Sequence, residues 1–77
     1  MKLQIITPDA ELFTGEVNSI VMPGTDGLIG ILNNHAPMVS SLKEGKIKVN
    51  LEKEEKFFDV KGGVVEVLKN NVVILAT

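Results

Sequence analysis

Glycine and proline recur every few residues along this chain, and no helical period survives between them. The density peaks in the fifteen residues from Pro23 to Pro37, PGTDGLIGILNNHAP, which hold three glycines. Glycine takes backbone angles that other residues resist, so this stretch predicts a sharply folded loop beside a short strand. Nothing in it is arranged for chemistry. A shaped backbone surface of this kind suggests a protein partner.

With helices disfavoured, the chain reads as short strands. Lys2 to Thr7 is the first, ended by Pro8. Glu11 to Val17 and Ser19 to Met22 follow, as two strands or as one long strand bent near Gly15. Leu28 to Leu32 and Met38 to Leu42 come next, the latter closed by Lys43-Glu44-Gly45. The clearest alternation is Lys46 to Glu52, with Ile47, Val49 and Leu51 on one face and polar residues on the other. Glu52 to Glu55 is a charged hairpin connection, and Phe57 to Lys61 is the return strand. Val64 to Leu68 and Val72 to Leu75 flank Asn70-Asn71, a tight turn that asparagine suits because it tolerates positive φ. The expectation is an all-β fold in one domain, residues 1–77: a flattened sandwich of about eight to ten short, mainly antiparallel strands.

Composition narrows the function classes. The chain has no cysteine, so neither disulfides nor thiolate metal sites are available. All eight basic residues are lysine, and the net charge is −2. Arginine is the usual bidentate reader of phosphate and guanine, so its absence argues against a nucleic-acid partner. Phe13, Phe57 and Phe58 are the only aromatic residues, too few for a base-stacking platform. No apolar run reaches signal or membrane length, which makes a soluble, cytoplasm-facing protein the expectation.

No catalytic or metal site is expected. His35 is the only histidine, and nothing sets Ser40, Ser41 and Asp26 around it as a triad. Asp26, Glu44, Asp59 and Glu66 are scattered rather than placed at ligand spacing. Gly24 to Gly30 lacks the spacing, the lysine and the following helix of a phosphate loop, so no cofactor or nucleotide is expected there. Lys53 at a hairpin tip suggests an alternative, a lipoyl or biotinyl carrier domain, but three glutamates surround it. A solubilising tip is the simpler account. A ligand-binding barrel needs a cavity for which 77 residues leave little volume.

Several segments are apolar on consecutive residues: Ile20-Val21-Met22, Leu28-Ile29, Val64-Val65 and Val72 to Leu75. A small two-sheet domain buries one face of each sheet. Uninterrupted apolar strands therefore suggest a second face covered by another protein.

One family joins these features. Glu11, Phe13, Gly15-Glu16, Ser19 to Met22, Pro23-Gly24, Asp26-Gly27, Ile29-Gly30-Ile31-Leu32 and His35-Ala36-Pro37 follow in order. Leu42, Gly45 and Gly62-Gly63-Val64-Val65-Glu66-Val67 continue the pattern. Over essentially its whole length the chain resembles the epsilon subunit of F-type ATP synthases, called delta in mitochondria. The resemblance implies a non-catalytic β-sandwich of the central stalk, bound to the gamma subunit and the c-ring. Its work would be to couple proton translocation to ATP synthesis. It implies a peripheral position on the cytoplasmic side of a bacterial plasma membrane.

The ring-facing residues so implied are Thr25, Asp26, Gly27 and Leu28 in one loop and His35, Ala36, Pro37 and Met38 in the adjacent turn. Val64, Val65, Val67, Val72 and Val73 of the last hairpin are the candidates for the gamma contact. Two departures stand out. Most members continue into a two-helix C-terminal hairpin associated with inhibition of ATP hydrolysis, and this sequence stops at Thr77. The expectation is coupling without that gate. Asn33 stands where proline is frequent, and a looser turn before His35 is expected from it.

Overall fold

The computed structural model describes all 77 residues. Its strands are β1 (Lys2–Ile6), β2 (Glu11–Glu16), β3 (Ser19–Gly24), β4 (Gly27–Leu32), β5 (Met38–Asn50), β6 (Glu55–Leu68) and β7 (Asn71–Ala76). They form one hydrogen-bonded sheet in the order β2-β1-β7-β6-β5-β3-β4. All pairs are antiparallel except β1 with β7, which runs parallel and ties the two ends of the chain together.

The longest ladder organises the fold. β5 and β6 pair in one unbroken register from Met38 opposite Val67 to Asn50 opposite Glu55. Their outer neighbours divide that length. β7 pairs with Gly63 to Leu68 of β6, whereas β3 pairs with β5 between Leu42 and Asn50. The sheet thus continues through β7, β1 and β2 on one half and through β3 and β4 on the other. It folds back on itself as two layers.

The layers close on one core. Leu3, Ile5, Val65, Val67, Val72 and Ile74 meet Ile20, Met22, Ile31, Ile47 and Val49 in a single cluster. No polar side chain is buried. At one seam the Phe13 and Phe58 rings meet edge to face, with centroids 5.8 Å apart. The Lys56 ammonium lies 5.9 Å over the Phe13 ring.

The all-β sandwich is as expected, with seven strands instead of eight to ten. Four short strands of the sequence reading are the two long strands β5 and β6. Gly45, Gly62 and Gly63 lie inside the ladder and do not end it, because the pairing on both sides keeps the same register. Glu11–Glu16 and Ser19–Gly24 are separate strands, β2 at one edge of the sheet order and β3 next to the opposite edge strand, β4. The chain crosses between them at Val17-Asn18, not at Gly15. There the Val17 amide donates to the Met1 carbonyl and the Asn18 amide to the Asn50 carbonyl, both at 2.8 Å.

The last hairpin also turns one residue earlier than expected. Leu68 pairs with Asn71, so the tip is Lys69-Asn70, with φ of 51° and 61°. Pairing of Lys2 with Asn71 and donation from the Lys2 amide to the Asn70 carbonyl fix this register from outside the hairpin.

Gly63 sits where β6 passes under β7. Its φ is +144°, and a Cβ there would lie 2.3 Å from the Leu75 carbonyl oxygen. Gly30 on β4 has open space and no such angle. Gly63→Ala is expected to lower the unfolding free energy by roughly 2 kcal/mol or more, since backbone strain alone costs about 1–3. Gly30→Ala is expected to stay within about 1 kcal/mol of the parent. Urea unfolding of the two variants tests the contrast.

Candidate functional site

The two halves of the candidate ring surface are built differently. Gly24 opposes Gly27, so Thr25-Asp26 is a two-residue tip joining β3 to β4. Gly27 relieves this tip with φ +133°. The Thr25 amide donates to the Ser41 carbonyl at 3.1 Å, which pins the tip against β5. Thr25, Asp26, Gly27 and Leu28 are all exposed.

The second half is the turn after β4. The His35 amide donates to the Leu32 carbonyl at 3.2 Å. The His35 imidazole Nδ1 lies 2.7 Å from the Ala36 carbonyl oxygen. A carbonyl only accepts, so Nδ1 is the donor. His35 and Met38 are half-buried, and Ala36 and Pro37 are exposed.

The two halves are not adjacent. They lie at opposite ends of β4, whose residues span about 16 Å at the ordinary strand rise. The outward positions of β4 run between them: Leu28, Gly30 and Leu32 are exposed while Ile31 is buried. The first residues of β5 lead back from the His35 turn to Ser41, beside the Thr25 tip.

Asparagines hold the His35 turn. Asn34 has φ 64°, and its amide donates to Asn70 Oδ1 at 2.8 Å. Asn33 Oδ1 accepts from the Met1 ammonium at 2.7 Å. Against the looser turn expected from Asn33, its side chain ties the turn to Met1, the residue before β1. No signal within the turn announces Asn70, which lies 36 residues away in sequence.

The outer faces of the two layers differ in chemistry. On the β1–β7–β6 layer, Val64 opposes Leu75 and Leu75 opposes Ile6. Beside that row, Val39 opposes Glu66, Glu66 opposes Val73 and Val73 opposes Gln4. Register partners point to the same side. The part of this face around Glu66 is apolar, with Val39 69% and Leu75 54% exposed, and Gln4, Asn71 and Lys2, the last two in register with Leu68, make its border polar.

The β5–β3 layer presents the Lys46–Asp59 pair at 2.8 Å and the Lys48–Glu55 pair at 2.9 Å. Such exposed pairs keep a face soluble and add little stability. Of the five valines expected at the gamma contact, Val65, Val67 and Val72 are instead core residues, Val64 is exposed and Val73 half-buried. The reason is the pleat, since alternate residues of β6 and β7 must face inward. Leu75, Leu68 and Val39 are the outward residues that a run of valines in sequence hid.

The comparisons with known proteins meet this geometry. Residues 1–77 match the family model described as the ATP synthase, Delta/Epsilon chain, beta-sandwich domain. This chain belongs to that family. It is 44% identical over 75 residues to the ATP synthase epsilon chain of Chlorobium limicola, covering 96% of this chain and 85% of the relative.

Two solved structures share the fold. A chain of the Euglena gracilis mitochondrial ATP synthase (OSCP/F1/c-ring) superposes with a TM-score of 0.89 at 25% identity, over 96% of this chain and 48% of its own length. A chain of the Tetrahymena thermophila mitochondrial ATP synthase (central stalk/c-ring) superposes at 0.86 and 19% identity, over 99% and 62%. The epsilon chain is a non-catalytic subunit of the synthase, so the family displaces the carrier alternative. Lys53 is an exposed residue of the β5–β6 turn, which the Leu51 amide closes on the Glu54 carbonyl at 2.8 Å.

The Asn34–Asn70 link yields a test. Aspartate and glycine both tolerate the positive φ of position 70, but only aspartate keeps the acceptor. Asn70→Gly is expected to speed solvent exchange of the Asn34 amide about fivefold, the equilibrium factor of one ordinary hydrogen bond. Asn70→Asp is expected to preserve its protection. Exchange measured by NMR on both variants checks this.

Proposed function

We propose that this chain is a central-stalk coupling subunit of a rotary F-type ATP synthase, held to gamma by its apolar outer face and seated on the c-ring. The observation that carries the reading is the unequal pair of outer faces in a sandwich of the epsilon family. Val39, Val64, Leu68, Val73 and Leu75 form a face without ion pairs, whereas the opposite face carries two solvated ion pairs and keeps its exposed apolar residues, Leu28, Leu32 and Phe57, beside them. Thr25, Asp26, Gly27 and Leu28 at one end of β4, and His35, Ala36, Pro37 and Met38 at the other, are the ring contacts in this reading. Exposed backbone and short polar side chains there suit hydrogen bonding to polar loops around the small apolar centre of Leu28 and Leu32.

Coupling needs a body that passes strain between two contacts. A single close-packed core beneath both surfaces supplies it. The position that follows is peripheral, on the cytoplasmic side of a bacterial plasma membrane, with proton translocation driving ATP synthesis through the stalk.

Leu75→Glu is expected to weaken binding to gamma by about tenfold or more while leaving unfolding within about 0.5–1 kcal/mol of the parent. The Asp26→Ala, His35→Ala double variant is expected to keep gamma binding and to lower proton pumping per ATP hydrolysed in membranes carrying the assembled synthase. Unchanged pumping in the double variant would remove the ring placement. Unchanged gamma binding in Leu75→Glu would remove the gamma face.

A further inference from the structure

Glu66 is the one charge at the centre of the apolar face. Across the ladder it stands between Val39 and Val73. Along its own strand the same-side neighbours are Val64 and Leu68, and on the diagonals lie Pro37, Ser41, Asn71 and Leu75, with Lys2 on the next strand beyond Asn71. Of these only Lys2, one strand further out, carries a charge. Glu66 makes no ion pair, although Glu16, Asp59 and Glu55 elsewhere do. Glu66 borders a shallow, open hollow of about 330 Å³ together with Pro37, Met38 and Leu68.

In water this carboxylate is solvated. Once the face is covered, it loses that water, and an unpaired buried carboxylate is costly. An apolar partner surface would therefore be repelled at its centre unless it brings a cation.

We propose that the partner covering this face is an apolar surface of the gamma subunit bearing one lysine or arginine that enters the hollow and pairs with Glu66. The inference rests on the gamma-face reading above and deepens it, turning a non-directional apolar contact into one with a defined register. Arginine fits best, because its planar fork engages both carboxylate oxygens and is weakly hydrated. The apolar rim excludes water and strengthens the pair.

The sign of the effect of neutralising Glu66 tests the proposal. If a cation faces it, Glu66→Gln and Glu66→Ala strand that cation, and affinity for gamma falls on the order of tenfold to a thousandfold. Glu66→Lys falls further. If no cation faces it, both neutral variants lose a desolvation cost and bind as tightly as the parent or tighter. Binding of the full chain to purified gamma would be measured for the parent, the three Glu66 variants and Leu75→Glu, at low and physiological salt.

The supporting result is weaker binding by Glu66→Gln and Glu66→Ala, with a smaller salt dependence than the parent. Equal or tighter binding by the neutral variants, with Leu75→Glu impaired, overturns the cation and leaves the face. Unimpaired binding by Leu75→Glu overturns the face itself. Thermal unfolding of each variant is the control, and an exposed position is expected to shift it little.

Discussion

The unbroken pairing of β5 with β6 is the constraint on which the rest of this domain depends. Every other strand attaches to it directly or through a neighbour, and both layers are halves of the same ladder. A one-residue slip in that register would turn the inward set of one of the two strands outward, Ile47 and Val49 or Val65 and Val67. That strand's share of the core would be lost as a unit. Gly63, opposite Ala76 at the start of the β6–β7 pairing, lets the two backbones approach closely there. The parallel pairing of β1 with β7 then closes the chain's ends over the same core.

That construction gives the two outer faces independent chemistry. Inward positions are committed to one apolar cluster, so outward positions are free to vary without cost to the core. On one layer they are valine and leucine around Glu66, and on the other the Lys46–Asp59 and Lys48–Glu55 pairs lie beside exposed Phe57, Leu28 and Leu32. The candidate ring loops sit at the ends of β4, which is an edge strand and so has one side free of sheet pairing. The His35 turn is nevertheless tied to the β6–β7 tip by Asn70 and to Met1, just before β1, by Asn33.

Much of this was legible in the chain. Frequent glycine and proline excluded helices, the alternation of Ile47, Val49 and Leu51 marked a half-buried strand, and Thr25-Asp26-Gly27 marked a turn. The ordered motif from Glu11 to Val67 pointed to the family that the comparisons bear out. Less was legible where residues look alike along a strand. Val64 and Val65 are the same residue type in sequence, yet one is exposed and the other is fully buried.

The sequence by itself determined the fold class, the family and the positions of most turns, because these follow from local backbone preference and short-range pattern. Tertiary structure alone decided how many strands there are, since whether Gly45 or Gly62 ends a strand depends on the partner strand across from it. It decided which residue of each apolar pair faces out, because that is set by register across three or four strands and not by neighbours in the chain. It also brought Asn34 to Asn70 and set Glu66 among uncharged side chains. These are contacts between residues distant in sequence, and only the closed ladder fixes the distances between them.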